Sequence, residues 1–129
     1  MKSRIALLLP TLFLAATIYA ADYGQKTTYK KDTPLIFPDC QLTYLGQHRV
    51  SSKAYPRGFL LYDFKATTQG ATKDISWSSG TGEIAPLFFK VAGKKFVLEL
   101  SHSDAFPGFL KPNELVLWTQ PKFDALKRP

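Results

Sequence analysis

The stretch Leu87-Phe-Phe-Lys-Val-Ala-Gly-Lys-Lys-Phe-Val-Leu-Glu-Leu100 decides the fold class of this chain. Two apolar runs flank a turn that contains glycine, which is the pattern of an antiparallel β-hairpin. From Lys95 onward, every second residue of the second run is Phe or Leu, so we expect that strand to have one buried and one wetter face.

The turn of this hairpin has two candidate registers. An Ala92-Gly93 turn places Lys90 opposite Lys95, whereas a Gly93-Lys94 turn places Lys90 opposite Val97. Because like charges directly opposite each other destabilise a strand pair, we favour the Gly93-Lys94 turn.

The rest of the chain repeats short β-branched or aromatic runs separated by Gly, Pro, Ser or Asp, which is typical of an all-β domain. We predict strands near 35–38, 40–46, 48–53, 57–68, 73–78, 86–92, 95–101 and 114–119. The expected fold is a small antiparallel β sandwich or partly open barrel of six to eight strands. The predicted core consists of Phe59, Leu61, Phe64, Phe89, Phe96, Leu98 and Leu117.

One strand has apolar residues on both faces, in the run Phe59-Leu-Leu-Tyr-Asp-Phe64. This pattern indicates a central strand that is covered on both sides. Asp63 interrupts the run, and a carboxylate in such a place needs a partner.

The N-terminus predicts export from the cytoplasm. Lys2 and Arg4 precede an uncharged, mostly apolar run over 5–21, which is the pattern of a secretory signal peptide. We therefore divide the chain into a signal peptide (1–20), a flexible lead-in (21–33), a single β domain (34–119) and a basic C-terminal tail (120–129). The expected location is secreted or periplasmic, with no membrane span after signal cleavage.

The basic charge is spread out rather than focused. The 129 residues include 17 Lys and Arg against 10 Asp and Glu, but residues 34–119 hold nine basic and seven acidic residues. The excess of basic residues lies in the flanking segments, so we do not expect a nucleic-acid partner. We expect weak attraction to anionic envelope surfaces instead. Cys40 is the single cysteine, which excludes an internal disulfide, and its alternation with Leu42 and Tyr44 predicts a buried free thiol.

Two polar loops are the candidate binding sites. Ser76-Trp-Ser-Ser-Gly-Thr-Gly-Glu83 combines hydroxyls, glycines and an acid, and Tyr55-Pro-Arg-Gly-Phe59 sets an aromatic beside a guanidinium. The first loop also fits a structural turn with Trp77 in the core, and Arg57 also fits an ion pair with Asp63 or another carboxylate. The predicted contact residues are Tyr55, Arg57, Ser79, Thr81 and Glu83.

No motif predicts catalysis, a metal or a cofactor. Ser101-His-Ser-Asp104 holds the residue types of a catalytic triad, but neighbours on a strand point to opposite faces. His48 and His102 lack the spacing of a metal site. No spacing singles out a catalytic pair among the available carboxylates, which are Asp63, Glu83, Glu99 and Asp104.

These residues predict an exported binding module that holds a partner protein or envelope polymer without catalysis, with an inhibitor as one form of it. Two alternatives stay open. One is a small hydrolase of cell-wall material with His102, Asp104 or Glu83 as proton carriers. The other is a structural accessory subunit of an envelope complex, which would present a large apolar patch.

Overall fold

The computed structural model of the protein describes residues 19–78, 85–103, 105–106 and 109–126. In that part of the chain, strands dominate and one short helix follows them. The elements are β1 (Tyr19–Ala20), β2 (Thr27–Thr28), β3 (Pro34–Phe37), β4 (Cys40–Val50), β5 (Phe59–Thr68), β6 (Ala71–Ser78), β7 (Leu87–Val91), β8 (Lys94–Leu100), β9 (Glu114–Thr119) and α1 (Gln120–Ala125).

The strands form two sheets. The first has the order β1-β3-β4-β5-β6, and its four longer strands are antiparallel, while the short β1 runs parallel to β3. The second has the order β2-β9-β8-β7 and is antiparallel throughout. Seven of the described strands have four or more residues, so the predicted all-β fold, a small sandwich or partly open barrel of six to eight strands, is confirmed.

The main core lies between the sheets. On β5, Phe64 and Ala66 are buried while Lys65 between them is exposed, as the alternation of side chains along a strand requires. Of the predicted core residues, Phe64, Phe89, Phe96, Leu98 and Leu117 are buried, and the prediction was wrong for Phe59 and Leu61, which stay partly exposed. Trp77 and Cys40 are buried as predicted, and the thiol of Cys40 is free.

The β7–β8 hairpin takes the register that like charges argue against. Ala92 and Gly93 form its turn with φ of 51° and 80°, and Lys90 lies directly opposite Lys95. The predicted Gly93-Lys94 turn was therefore wrong. The observed register sets Phe89 opposite Phe96, and the two rings stack with centroids 5.4 Å apart. It also leaves a two-residue turn whose backbone twist matches the twist of the flanking strands.

In the second sheet, β8 and β9 are covered on both faces over most of their length. Its far face packs against α1 and the chain after β8, in a smaller core of Val97, Leu110, Val116, Trp118 and Phe123. Residues Phe96 to Leu100 of β8 are consequently all buried, which corrects the expected wetter face. The prediction that β5 is a central strand is confirmed. The prediction that it is covered on both sides is wrong for its first half, which stays partly exposed.

The segment before β3 also joins the fold. Tyr29 is buried, the amide of Gly24 donates to the carbonyl of Leu117 (2.9 Å), and the amide of Tyr29 donates to that of Asn113 (2.9 Å). These contacts correct the expectation that 21–33 is a flexible lead-in. At the other end, α1 begins the predicted tail and buries Phe123.

The predicted signal peptide lies almost wholly outside the described residues, and its cleavage stays a prediction. Tyr19 and Ala20, its last two residues, pair with Leu35 and Ile36. Within the described part of the chain, no helix has the length and apolar character needed to cross a membrane.

Candidate functional site

The strands β4 and β5 continue as a hairpin beyond the core. Their pairing extends to Val50 opposite Phe59, but no residue from Thr43 to Asp63 is buried. We call residues 45–62 the arm. Pairing continues where full burial ends, so the arm is a paired hairpin whose residues all keep some exposure, and Tyr62 at its base still packs against the main core.

A β-bulge marks the base of the arm. The register shifts between Tyr44 and Gly46, so Leu45 has no opposite residue on β5, and one continuous strand replaces the two strands predicted over 40–53. Gly46 has a φ of 124°, and a Cβ there would lie 3.3 Å from Cε of Lys31. Glycine therefore permits both the backbone conformation and the close approach of Lys31, and bulges of this kind re-aim neighbouring side chains.

Asp63 forms a polar array on the outer face of β5. Its Oδ1 accepts a hydrogen bond from Oγ of Ser76 (2.6 Å), and its Oδ2 lies 2.8 Å from Nδ1 of His48. The strand register creates this array, because Asp63 lies opposite Ser76 and His48 lies opposite Leu61, two residues away. The expectation that Asp63 needs a partner is confirmed, and its partners are these two residues rather than Arg57.

The order of the three groups decides what the array can do. In a nucleophilic triad the imidazole lies between the hydroxyl and the carboxylate, so that it can take the hydroxyl proton. Here the carboxylate lies between Ser76 and His48, and the hydroxyl donates to Asp63. Ser76 is therefore not activated as a nucleophile, but His48, with half of its side chain exposed, is oriented for hydrogen bonding or proton exchange through its other nitrogen.

A cleft of about 540 Å³ opens beside the base of the arm. Three tyrosine rings line the cleft together with lysine, imidazole, amide and carboxyl groups. These side chains belong to Tyr29, Lys31, Tyr44, Gln47, His48, Tyr62, Asp63 and Asn113. The rings of Tyr29 and Tyr44 meet edge to face at 4.9 Å, and the hydroxyl of Tyr29 donates to the carbonyl of Pro112 at 3.1 Å. Burial raises the pKa of Tyr29 and of Tyr44, so both hydroxyls stay protonated at neutral pH.

Two of the predicted contact residues lie at the tip of the arm. Tyr55 is 47% exposed and its ring contacts Phe59 edge to face at 6.3 Å, while the exposed Arg57 accepts a hydrogen bond at its carbonyl from Nη1 of Arg49 (3.0 Å). Ser79, Thr81 and Glu83 lie outside the described residues, so their part of the prediction is not tested. Nε1 of the buried Trp77, before that segment, donates to the carbonyl of Ala85 after it at 3.0 Å.

The other candidate catalytic residues do not gather at the arm. Glu99 is only 3% exposed and lies in the second sheet, where its Oε1 accepts hydrogen bonds from Nε1 of Trp118 (2.6 Å) and Oγ of Ser103 (2.7 Å). His102 is exposed just after β8, and Asp104 lies outside the described residues. Within the described ranges, no group of three or more His, Cys, Asp and Glu side chains is placed to hold a metal ion.

Sequence reasoning missed most of the cleft. Its residues come from four separate parts of the chain, near 29–31, 44–48, 62–63 and 112–113. The one signal was Asp63, a carboxylate inside an apolar strand. Its partner His48 is 15 residues away and becomes a neighbour only through the register of β4 on β5.

No protein-family model, no curated protein and no solved structure matches this chain in comparisons with known proteins. Function is therefore inferred from the chain's own residues and their geometry.

Proposed function

We propose that the protein is an exported, non-catalytic binding module that uses the arm and the cleft at its base to hold an acidic partner protein or envelope polymer. The observation that carries this proposal is that half of residues 45–62 are paired across the hairpin, yet none of the 18 is buried and none is acidic. Side chains that stay exposed add little stability to a fold, so a role in contact explains this hairpin better than a role in stability.

Charge gives the arm its preference. Arg49, Lys53 and Arg57 are its formal cations, and the first carboxylate along β5 is Asp63, which already accepts hydrogen bonds. The exposed guanidinium of Arg57 can meet a carboxylate or phosphate with two parallel hydrogen bonds. An acidic partner is therefore the complement of this surface.

Apolar surface on the arm would supply the binding energy. Phe59, Leu60 and Leu61 are all partly exposed, and Tyr55 lies against Phe59 at the tip. Aromatic and aliphatic groups flanked by arginine are the usual composition of the energetically dominant part of an interface. Since strand pairing already orders the backbone, little conformational entropy is lost on binding.

The shape of the arm also supports the inhibitor form of this proposal. A two-stranded projection can enter a groove of a partner, and the cleft at its base offers tyrosine hydroxyls, Gln47 and Asn113 to whatever lies alongside it. This arrangement binds without a reaction of its own.

The test is capture from an envelope extract of the producing cells. Wild-type protein is compared with Tyr55→Ala and Arg57→Ala, and Lys65→Ala is the matched control because Lys65 is an exposed cation of β5 outside the arm. We expect the two arm variants to retain about ten-fold less partner than wild type, the effect of one lost charge-assisted contact or aromatic anchor, and the control to retain as much. Protease treatment of the extract then distinguishes a protein partner from a polymer.

Two results would overturn the proposal: wild type captures nothing, or the arm variants capture as much as the control. Glu83→Ala in the same experiment tests whether the 76–83 loop shares in the contact. A loss with Glu83→Ala alone would move the site from the arm to that loop.

One observation favours the hydrolase as a second candidate, namely the His48–Asp63 pair in the cleft. A histidine held by a carboxylate is a suitable proton acceptor for water. Turnover of cell-wall material that is lost in both His48→Ala and Asp63→Asn, but kept in Ser76→Ala, would establish this function. Turnover that is lost in His102→Ala instead would assign the chemistry to the chain after β8.

A further inference from the structure

A second cationic surface lies at the edge of the second sheet that β7 forms, next to β6 of the first sheet. Phe88 and Lys90 share one face of β7, Lys95 lies opposite Lys90 on β8, and Nζ of Lys73 on β6 donates to the carbonyl of Lys90 at 3.2 Å. We call these four residues the Phe88 patch. With Phe89 and Gln120 they line an open depression of about 330 Å³.

The charges of the Phe88 patch have no ion-pair partner among the described residues. Lys90 and Lys95 face each other directly, an arrangement that destabilises a strand pair. None of the three ammonium groups forms an ion pair with another described residue. A bound anion would relieve this repulsion, so the patch is complementary to a surface that carries several negative charges.

An exposed aromatic ring stands among these lysines. Phe88 is 50% exposed. Its ring meets the ring of the buried Phe123 edge to face, with centroids 5.7 Å apart, and this contact holds Phe88 in place. An apolar group ringed by lysines suits the boundary between lipid headgroups and acyl chains.

We propose that the Phe88 patch docks the protein on a bilayer that contains anionic phospholipid. Lysine ammonium groups act as point charges that attract headgroup phosphates without a fixed geometry, and Phe88 enters the interface between them. The shallow, open form of the depression fits a fluid surface better than the deep pocket that an acidic peptide anchor requires.

The lysine end of the patch lies far from the arm. The Lys94 ammonium binds the Asp39 carboxylate, which places the β7–β8 turn beside the β3–β4 turn. The β3–β4 turn lies at the start of β4, which is the end away from Val50 and the arm. Lys90 and Lys95, which lie next to the β7–β8 turn, are therefore at the end of the fold away from the arm.

The experiment is co-sedimentation with vesicles of phosphatidylcholine, with and without 30% phosphatidylglycerol, at low and high salt. The variants are Lys90→Gln/Lys95→Gln and Phe88→Ala, and mass spectrometry confirms that each has the same N-terminus as wild type, since residues 5–21 are themselves apolar. We expect wild type to bind the anionic vesicles and to be released by salt. The lysine pair variant should bind roughly 25-fold less, about five-fold for each charge, and Phe88→Ala about ten-fold less.

Matched controls lie elsewhere on the surface. Lys30→Gln/Lys65→Gln removes the same charge at exposed positions. Phe109→Ala removes an aromatic ring that is 77% exposed, and Phe109 lies past the end of β8 that is opposite to Lys95. Both should bind as wild type does. The proposal fails if the control pair loses as much binding as the patch pair, or if vesicles without phosphatidylglycerol bind as strongly.

A spectroscopic variant gives a readout that total binding does not. Trp77 and Trp118 are both buried, so the fluorescence of Phe88→Trp contains one exposed indole. Its emission should shift to shorter wavelength with anionic vesicles. Retention of wild type on immobilised polyglutamate with no shift on vesicles would overturn the bilayer assignment and make the patch a protein-docking surface.

Discussion

The two halves of the β4–β5 hairpin differ in burial although the pairing is continuous. In the half that includes Cys40 and Thr68, three apolar residues are fully buried, namely Leu42, Phe64 and Ala66. From Thr43 to Asp63, no residue is buried. The first half faces the second sheet, whereas the arm contacts the main core through Tyr62 at its base. Backbone pairing therefore holds both halves in one structure, but only a facing layer turns apolar residues into a core.

The largest difference should come from truncating one phenylalanine in each half of β5. Phe64→Ala leaves a cavity in the main core and should lower the free energy of unfolding by about 3–5 kcal/mol, whereas Phe59→Ala on the arm should cost about 1 kcal/mol or less. Urea denaturation of the two variants measures both values. Equal losses would mean that the arm is part of the cooperative core.

Thiol reactivity compares the two ends of β4. Cys40 begins the strand in the buried half, and burial raises the pKa of its thiol. Ser51 is exposed just after the strand. In native protein we expect Cys40 to react with a thiol reagent at least about 100-fold more slowly than a cysteine introduced as Ser51→Cys in a Cys40→Ala background.

In urea the two cysteines should react alike, because unfolding removes the difference in burial. If native Cys40 reacts as fast as it does in urea, the predicted burial of its thiol is wrong.

A smaller effect is expected where the two halves meet. Asp63→Ala removes the acceptor of Ser76 and His48 and should lower the free energy of unfolding by about 1–2 kcal/mol, since water replaces part of these bonds at a side chain that is 31% exposed. Ser76→Ala, which removes one of the two bonds, should cost about half as much. A loss in Asp63→Ala as large as that in Phe64→Ala would show that the array is a structural element of the core.

The smallest effect concerns pH at the buried end of the hairpin. The hydrogen bond from Lys94, then that from Tyr23, lowers the pKa of Asp39. A lowered pKa contributes stability above the unfolded value of about 3.9, and this contribution is lost as pH falls through the folded value. Because the pair is partly exposed, Asp39→Asn should cost less than about 1 kcal/mol at neutral pH.

The cost of Asp39→Asn should shrink towards zero in acid, where both proteins lack the charge. Asp32→Asn, at an exposed position, is the control. A cost for Asp39→Asn that does not change between neutral and acidic pH would contradict a contribution from this carboxylate's ionisation.

Much of the fold could be predicted from the sequence, and little of the candidate site could. The β class, the hairpin over 87–100 and five of the predicted core residues follow from apolar residues with period two and from glycine at turns. The register of that hairpin did not follow, because the repulsion of Lys90 and Lys95 was visible in the sequence while the stacking of Phe89 on Phe96 was not. The cleft was missed because strand pairing joins residues that are distant along the chain.

Two similar stretches show where sequence information ends. The pattern of Phe59-Leu-Leu-Tyr62 predicts a strand covered on both faces, and that of Phe96-Val-Leu-Glu-Leu100 predicts one buried and one wetter face. The sequence alone determined correctly that both are strands. Tertiary structure decided the rest: the first stretch extends past the facing sheet and stays partly exposed, while the second lies between two layers and buries even Glu99. Local pattern specifies strand and face, because both depend on the backbone repeat. Burial also depends on which layer lies opposite, and that is set by the whole fold.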